Sequence, residues 1–342
     1  MTSCKDGYNP KALAIEHPFA RYIRILGKGK TGSRSLTQEE AKEAFSMILH
    51  GESEDLQIGA FLMLLRVKEE TPEELAGFVQ ACRENMLQPP SGLYCDLDWS
   101  AYAGKKHHHP WFILSAVLLA DAGYRILIHG AAGHTQGRLY MEDGMCQLGL
   151  SVASNWTDVS LQLNQSNLSY FSLQHFCPTL ESLMQLRALL GLRSPVNTLS
   201  RLINPLHANV SLQSVFHPSY ARLHQEADAI LDQPRALVFK GESGEIEIKP
   251  QADTRISLLE NGKIHELVLP RTIPNRVESV GTPGIEPLRD LWKGNAIDSY
   301  GLHATLATTA TGLLALTPGL DIPSAQHQAR ELWENRNSSR LN

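Results

Sequence analysis

The most unusual local composition in the chain is Gly104-Lys105-Lys106-His107-His108-His109, where two lysines and three histidines stand side by side. Adjacent side chains point in different directions. Metal-binding histidines instead sit three or four residues apart on a helix, or two apart on a strand, so this spacing argues against a metal site. The run precedes a helix expected to begin near Pro110. Lys105, Lys106 and that helix's N-terminus could together hold a phosphate; an exposed polar loop at a solvated helix start explains the run equally well.

A second candidate runs from Ile128 through His129, Gly130, Gly133 and His134 to Arg138, directly after a strand signal. Glycines there let backbone N–H groups approach an anion closely. The loop is neither a Walker A sequence nor G-x-G-x-x-G, and a tight strand-to-helix turn also accounts for its glycines. Glu242, Glu245 and Glu247 could hold Mg2+ through paired carboxylates, Glu245 and Glu247 sharing one face of a strand. No aspartate joins them, and a solvated strand edge is the favoured reading.

The third candidate is basic. Arg21 and Arg24 fall on one helical face, and Lys28, Lys30 and Arg34 follow in a glycine-rich stretch able to track a phosphate backbone. Residues 1–35 carry seven basic and two acidic side chains, so this segment stands at +5 and the remainder of the chain at −10. The total of 31 basic against 36 acidic residues argues against a protein wrapped in polyanion. Any nucleic-acid contact is therefore expected to be local, salt-dependent and indifferent to base sequence.

These residues need elements to position them. Ala41, Ala44, Phe45, Ile48 and Leu49 recur at helical spacing behind a Thr37–Glu40 capping box. LQIGAFLMLLRVK, apolar on most faces, is expected in the middle of a bundle, and Thr71-Pro72-Glu73-Glu74 opens another helix. Pro89-Pro90-Ser91-Gly92 is the candidate linker. Beyond it the apolar helix PWFILSAVLLADAG leads into the strand YRILIHG, and SYFSLQHFC into the helix PTLESLMQLRALLG. RALVFKG, EIEIKP and IHELVLP read as strands, and the last fifty residues return to helix. Five scattered cysteines without a C-x-x-C pair give neither a disulfide framework nor a zinc site. With no apolar stretch near the roughly 20 residues that span a bilayer and no signal-peptide core, a cytoplasmic protein without a membrane partner is expected.

The order of these elements carries a resemblance. LTQEEAKEAFSMILHGESEDLQIGAFLMLLRVKEETPEELAGF resembles the helical domain shared by anthranilate phosphoribosyltransferase and the pyrimidine nucleoside phosphorylases, grouped as glycosyltransferase family 3. LRALLGLRSPVNTLSRLINPL resembles that family's Arg-x-x-Leu-Gly-x-Arg-Thr-x-x-Asn…Asn-Pro stretch, and KGNAIDSYGLHATLATTATGLLAL its closing helices. The resemblance covers nearly the whole chain. It implies an α/β fold in which a small helical N-terminal domain, 1–90, is joined in space by helices near 180–205. The larger α/β domain, 91–342, would have a central mixed sheet flanked by helices.

The family's functional motifs are altered. Its Gly-Thr-Gly-Gly-Asp-Gly pyrophosphate loop corresponds to Ala101–Lys106 and keeps only Gly104; its Lys-His-Gly-Asn-Arg-Ser-x-Ser-Ser loop keeps His129 and Gly130. The Asp-Glu magnesium pair becomes Ile246-Glu247, and a lysine near the acceptor becomes Glu181, while Arg187 stands where the family's anthranilate-contacting arginine would be. Gly27-x-Gly29-Lys30 and Phe176-Cys177-Pro178-x-Leu180-Glu181 resemble the YbiB-type subgroup, whose members are dimers that bind nucleic acid nonspecifically.

The resulting expectation is a homodimer contacting DNA or RNA through Arg21, Arg24, Lys28, Lys30 and Arg34, with Lys105, Lys106 and Arg138 as secondary contacts. Gly104, His129 and Gly130 are the candidate phosphate site, His129 and Arg187 the candidate catalytic residues, and Glu247 the candidate metal ligand. No cofactor is required by this reading. The alternative is a glycosyl- or phosphoribosyltransferase using phosphoribosyl pyrophosphate and Mg2+ with an unidentified acceptor.

Overall fold

The computed structural model describes residues 16–29 and 31–341; Lys5, Lys11 and Lys30 of the basic segment lie outside the described residues. Four helices come first: α1 (Ala20–Gly27), α2 (Gln38–Leu49), α3 (Asp55–Lys68) and α4 (Pro72–Asn85). Thr37 caps α2 in a reciprocal box with Glu40, as the sequence predicts, and Thr71, expected as the cap of α4, forms such a box with Glu74 as well. Glu74 is fully buried, and its carboxylate also accepts from the Leu36 amide at 2.8 Å and from Lys68 Nζ at 3.0 Å, tying α2, α3 and α4 together. Phe61, Leu62 and Leu65 of α3 are buried, whereas Leu56 and Val67 are 89% and 84% exposed. This helix therefore does not fill the middle of a bundle: its apolar residues point both inward and outward.

The chain then alternates through β1 (Leu97–Ala101), α5 (Phe112–Asp121), β2 (Ile126–Gly130), α6 (Met141–Gln147), α7 (Trp156–Ser166) and β3 (Leu168–Ser172). Short helices α8 (Leu173–Phe176), α9 (Pro178–Gln185), α10 (Arg187–Leu190) and α11 (Val196–Leu199) precede β4 (Val210–Val215), α12 (Tyr220–Ile230) and β5 (Arg235–Lys240). After β6 (Thr254–Glu260) and β7 (Lys263–Leu269), helices α13 (Glu286–Lys293), α14 (Ser299–Leu316) and α15 (Ile322–Glu334) close the chain. The strand order is β3-β2-β1-β4-β5-β6-β7, the first five strands parallel and the last two antiparallel. This is a mixed sheet flanked by helices.

Two apolar cores sandwich the sheet. One packs α5, α13, α14 and α15 on one face; the other joins α1–α4 to α7, α9, α11 and the opposite face of β2 and β3. The closest backbone approach in the helical unit is at Gly77 of α4, where a Cβ would stand 2.3 Å from Gln38 O and 2.9 Å from Ala41 Cβ. An exposed helical Gly→Ala change ordinarily gains about 1 kcal/mol. Gly77→Ala is expected to lose about 1–3 kcal/mol, because α2 and α4 must separate; urea denaturation reads the sign.

Two local expectations are corrected. EIEIKP is not a strand: residues 245–250 are irregular, and Glu245 and Glu247 are fully buried rather than on a solvated edge. Their partners come from the loop after β1, so packing across the chain overrides the period-two pattern. The strand that follows β5 and pairs with it on the side away from β4 is β6, joined to β7 by a tight Asn261-Gly262 turn with both residues at positive φ.

Candidate functional site

The order in which strands are added to the sheet reverses between β1 and β4, which are parallel neighbours, and in such sheets the crevice beyond the strands' C-terminal ends is where ligands bind. Four loops meet there, after β1 (102–105), β2 (131–138), β4 (216–219) and β5 (241–247). They build two unlike halves.

The half beneath β1 and β5 is filled by the protein's own charges. The Ala103 amide donates to Glu245 Oε1 at 2.7 Å and the Gly104 amide joins the same oxygen, so a carboxylate sits on the loop that corresponds to the pyrophosphate cradle. Lys105 is fully buried; its Nζ donates to Glu247 Oε1 at 2.5 Å and also to Glu242 Oε2. Glu247 Oε2 accepts from the Phe112 amide at 3.0 Å, so the N-terminus of α5, expected to be open to a phosphate, already carries an anion. Burial pushes Glu247 up to about 7 even against Lys105, whereas for Glu242 the Lys105 ammonium outweighs burial and holds the carboxyl low.

Behind this half lies a buried polar chain. His129 Nδ1 pairs with Tyr102 Oη at 2.7 Å, and its Nε2 stands 3.1 Å from Asp98 Oδ1. Asp98 Oδ2 accepts from Ser211 Oγ, which also takes Gln213 Nε2, and that amide reaches Asp228 at 2.9 Å. His129 is fully buried among these partners, so it holds the loop rather than facing a ligand. Gly130 is likewise structural: a Cβ there would lie 2.2 Å from Ala101 O. Burial pushes Asp228 up to about 8. A carboxyl raised above its unfolded value near 3.9 keeps its proton in the fold, so this group's contribution to stability falls as pH rises between about 4 and 8. Asp228→Asn is therefore expected to gain on the wild type by a few kcal/mol between pH 5 and pH 9. Unfolding midpoints at the two pH values test this, and an unchanged difference would remove Asp228 as the source.

The other half is an open cleft between the helical layer and the ends of β1 and β4. It encloses about 130 Å3, roughly four waters' worth of space. Arg66, Arg193, Arg201, His134, His217 and Tyr102 are among its lining residues, and no carboxylate is. Arg201 is anchored on Ser214 Oγ and Gly244 O, each at 3.2 Å. Arg138 donates to Ala103 O and Gly104 O, each at 2.9 Å, and Arg187 to Thr135 Oγ1. Arg193 has no hydrogen-bond or ion-pair partner among the described residues, and burial together with Arg138, Arg187 and Arg201 pulls it down to about 10. Burial also lowers His134 to about 4, so its neutral ring donates to Tyr102 O at 2.7 Å. Arg193 is thus repelled by three neighbouring guanidinium groups in a partly desolvated space, and an anion placed in the cleft relieves it.

The N-terminal arginines are elsewhere and already paired: Arg21 with Glu43, Arg24 with Glu16, and Arg34 in a two-pronged contact with Glu40. Lys28 and Lys106 are exposed, whereas Lys105 is buried and Arg138 is spent on backbone carbonyls. The histidine run holds no metal cluster: His108 stacks on Tyr300 at 4.1 Å, and His109 Nδ1 accepts from the Gly284 amide. Sequence reasoning missed Arg66, Arg193, Arg201 and Tyr102, whereas His134 lies in the glycine-rich loop it singled out. Arg193 and Arg201 were visible as charges inside LRALLGLRSPVNTLSRLINPL, but nothing local says that they line a cleft or that Arg193 is left without an acid.

The models of two glycosyl transferase family domains, the helical bundle domain and the a/b domain, match residues 20–86 and 113–279. The chain belongs to glycosyltransferase family 3. Within that family, the protein YbiB of Escherichia coli is 28% identical over 247 residues, spanning 71% of this chain and 76% of that one. Anthranilate phosphoribosyltransferase of Methylocella silvestris is 31% identical over 243 residues, spanning 70% and 68%. With YbiB among its relatives and the altered loops described above, the chain is a YbiB-type family 3 protein. Among solved structures, anthranilate phosphoribosyltransferase of Thermus thermophilus superposes with a TM-score of 0.77 at 23% identity, covering 92% of this chain and 94% of that one. The Saccharomyces cerevisiae enzyme in complex with phosphoribosyl pyrophosphate and Mg2+ gives 0.75 at 18%, covering 94% and 95%. These likenesses establish the family 3 fold. No helix among the described residues is long and apolar enough to cross a membrane.

Glu242 and Glu247 as they stand do not fit Mg2+. Both oxygens of Glu247 and one of Glu242 are taken by Lys105 and the Phe112 amide, and the remaining Glu242 oxygen accepts from Ser243 Oγ. Octahedral coordination at about 2.0–2.1 Å has no free oxygens among them.

Proposed function

We propose that this family 3 protein binds a phosphate-bearing pentose compound in the arginine-lined cleft and serves pentosyl transfer without a divalent metal. The observation that carries the reading is the convergence of Arg66, Arg193 and Arg201 on a space without a carboxylate. Guanidinium groups recognise phosphate and carboxylate through paired N–H donors, and transfer at a ribosyl carbon is served by groups that hold the departing or attacking anion in place. Family membership supports the reaction class.

Calorimetric titration with ribose 5-phosphate and with phosphoribosyl pyrophosphate, each with and without Mg2+, tests the ligand class. Binding of either compound that does not require the metal is expected, and no binding of either overturns the reading. Pyrophosphate release and nucleoside phosphorolysis, assayed in the presence and absence of chelator, test the reaction.

Nonspecific nucleic-acid binding is the second reading. Lys28 and Lys106 favour it, as exposed lysines without an ion-pair partner among the described residues. Oligonucleotide affinity that falls steeply with salt and is lost in Lys28→Ala/Lys106→Ala would favour it over the first. The exposed Leu56, Val67 and Leu189 support the proposal of a homodimer through the helical layer. Light scattering is expected to give a dimer that Leu56→Lys/Val67→Lys converts to monomer; a monomeric wild type would sink the idea.

A further inference from the structure

We propose that the Lys105 ammonium is a built-in replacement for a divalent cation, closing a carboxylate site that takes Mn2+ or Mg2+ only when the lysine is removed. This inference stands whatever the cleft binds. Lys105 reaches Glu242 and Glu247, which lie on the loop after β5 and are brought to it across 137 and 142 residues of sequence. All three side chains are buried, so none of these contacts is a surface ion pair.

The surrounding atoms favour a cation position over a chance contact. Glu245, the third carboxylate of the loop, spends Oε1 on the amides of Ala103 and Gly104, while its Oε2 is buried without a partner. Three buried carboxylates face one ammonium and the Arg201 guanidinium, which acts on Glu245 through space. Removing the lysine leaves that negative charge uncompensated and opens the space of a four-carbon side chain. Hard oxygen donors with excess negative charge and room for water are what Mn2+ and Mg2+ select. A lysine in this position supplies fixed positive charge that neither chelation nor metal supply alters.

The test uses the full-length protein and Mn2+ as probe, followed by electron paramagnetic resonance and by thermal unfolding. The wild type is expected to leave Mn2+ free at millimolar concentration. Lys105→Ala is expected to bind one ion, rise by several degrees in unfolding midpoint on adding Mn2+, and lose both effects when Glu247→Gln is added. Lys105→Gln keeps a donor and provides a second route if the alanine variant folds poorly. If neither variant folds alone, Mn2+ is expected to raise the refolding yield of Lys105→Ala. Glu247-dependent Mn2+ binding by the wild type, or failure of Mn2+ to bind, stabilise or rescue either variant, overturns the proposal.

Discussion

Arg193→Leu is expected to weaken binding of ribose 5-phosphate by about 100-fold while raising the unfolding midpoint of the ligand-free protein. The two effects have opposite signs because Arg193 has no carboxylate or hydrogen-bond partner among the described residues. Its charge is held down by burial and by Arg138, Arg187 and Arg201. Removing it relieves repulsion and desolvation worth on the order of 1 kcal/mol once solvent screening is allowed for. When an anion fills the cleft the same charge becomes a paired one, and truncating one partner of a buried pair costs roughly 2–5 kcal/mol, which spans the expected loss of affinity. Calorimetry and thermal unfolding on one preparation read both signs. A variant less stable than the wild type, with unaltered affinity, would show that Arg193 braces the fold instead of waiting for a ligand.

Lys105→Met is expected to cost about 3–5 kcal/mol of stability at pH 8, the usual result of leaving buried charges without their partner. The cost should shrink on acidification, and the sign follows group by group. In the wild type Glu247 is already raised to about 7, so its contribution favours the fold at low pH and weakens as pH rises from about 4 to 7. Glu242 is held below its ordinary value by Lys105, so its contribution is present above that value and is lost as pH falls through the folded one. Without the ammonium both carboxyls are raised and both oppose folding when ionised. The gap between wild type and variant should therefore be widest above pH 7 and narrow below pH 5. Urea denaturation at pH 5 and pH 8 reads it. An equal gap at both values would mean that Lys105 contributes packing alone, and Glu247→Gln should recover part of the loss at pH 8.

The distribution of charge along the chain does not show which cations lack a partner. A +5 segment at the N-terminus invited a polyanion, yet Arg21, Arg24 and Arg34 each lie against a glutamate, two of them from residues later in the chain. Arg193 and Arg201, unremarkable in a chain with 31 basic residues, are the ones left facing a cleft. Formal charge is a property of composition. Whether a given cation is free depends on which carboxylates the fold brings within about 4 Å of it.

The sequence determined the elements whose signals are local. Thr37–Glu40 and Thr71–Glu74 set two helix starts through contacts three residues apart, and the apolar runs of α5, β2 and β5 specify buried helix and strands by composition and period. The strand β6 and its Asn261-Gly262 turn into β7 went unread, because the half-polar EIEIKP reads as the strand beside β5. Tertiary structure alone decided what the Gly104–His109 run and the three glutamates do. Read locally, Lys105 is a surface cation and Glu245 and Glu247 are a solvated edge. In the fold they satisfy one another, because β1 and β5 bring their following loops to the same end of the sheet. A buried charge is stable only beside its counter-charge, and no stretch of sequence a few residues long records a partner that arrives from more than a hundred residues away.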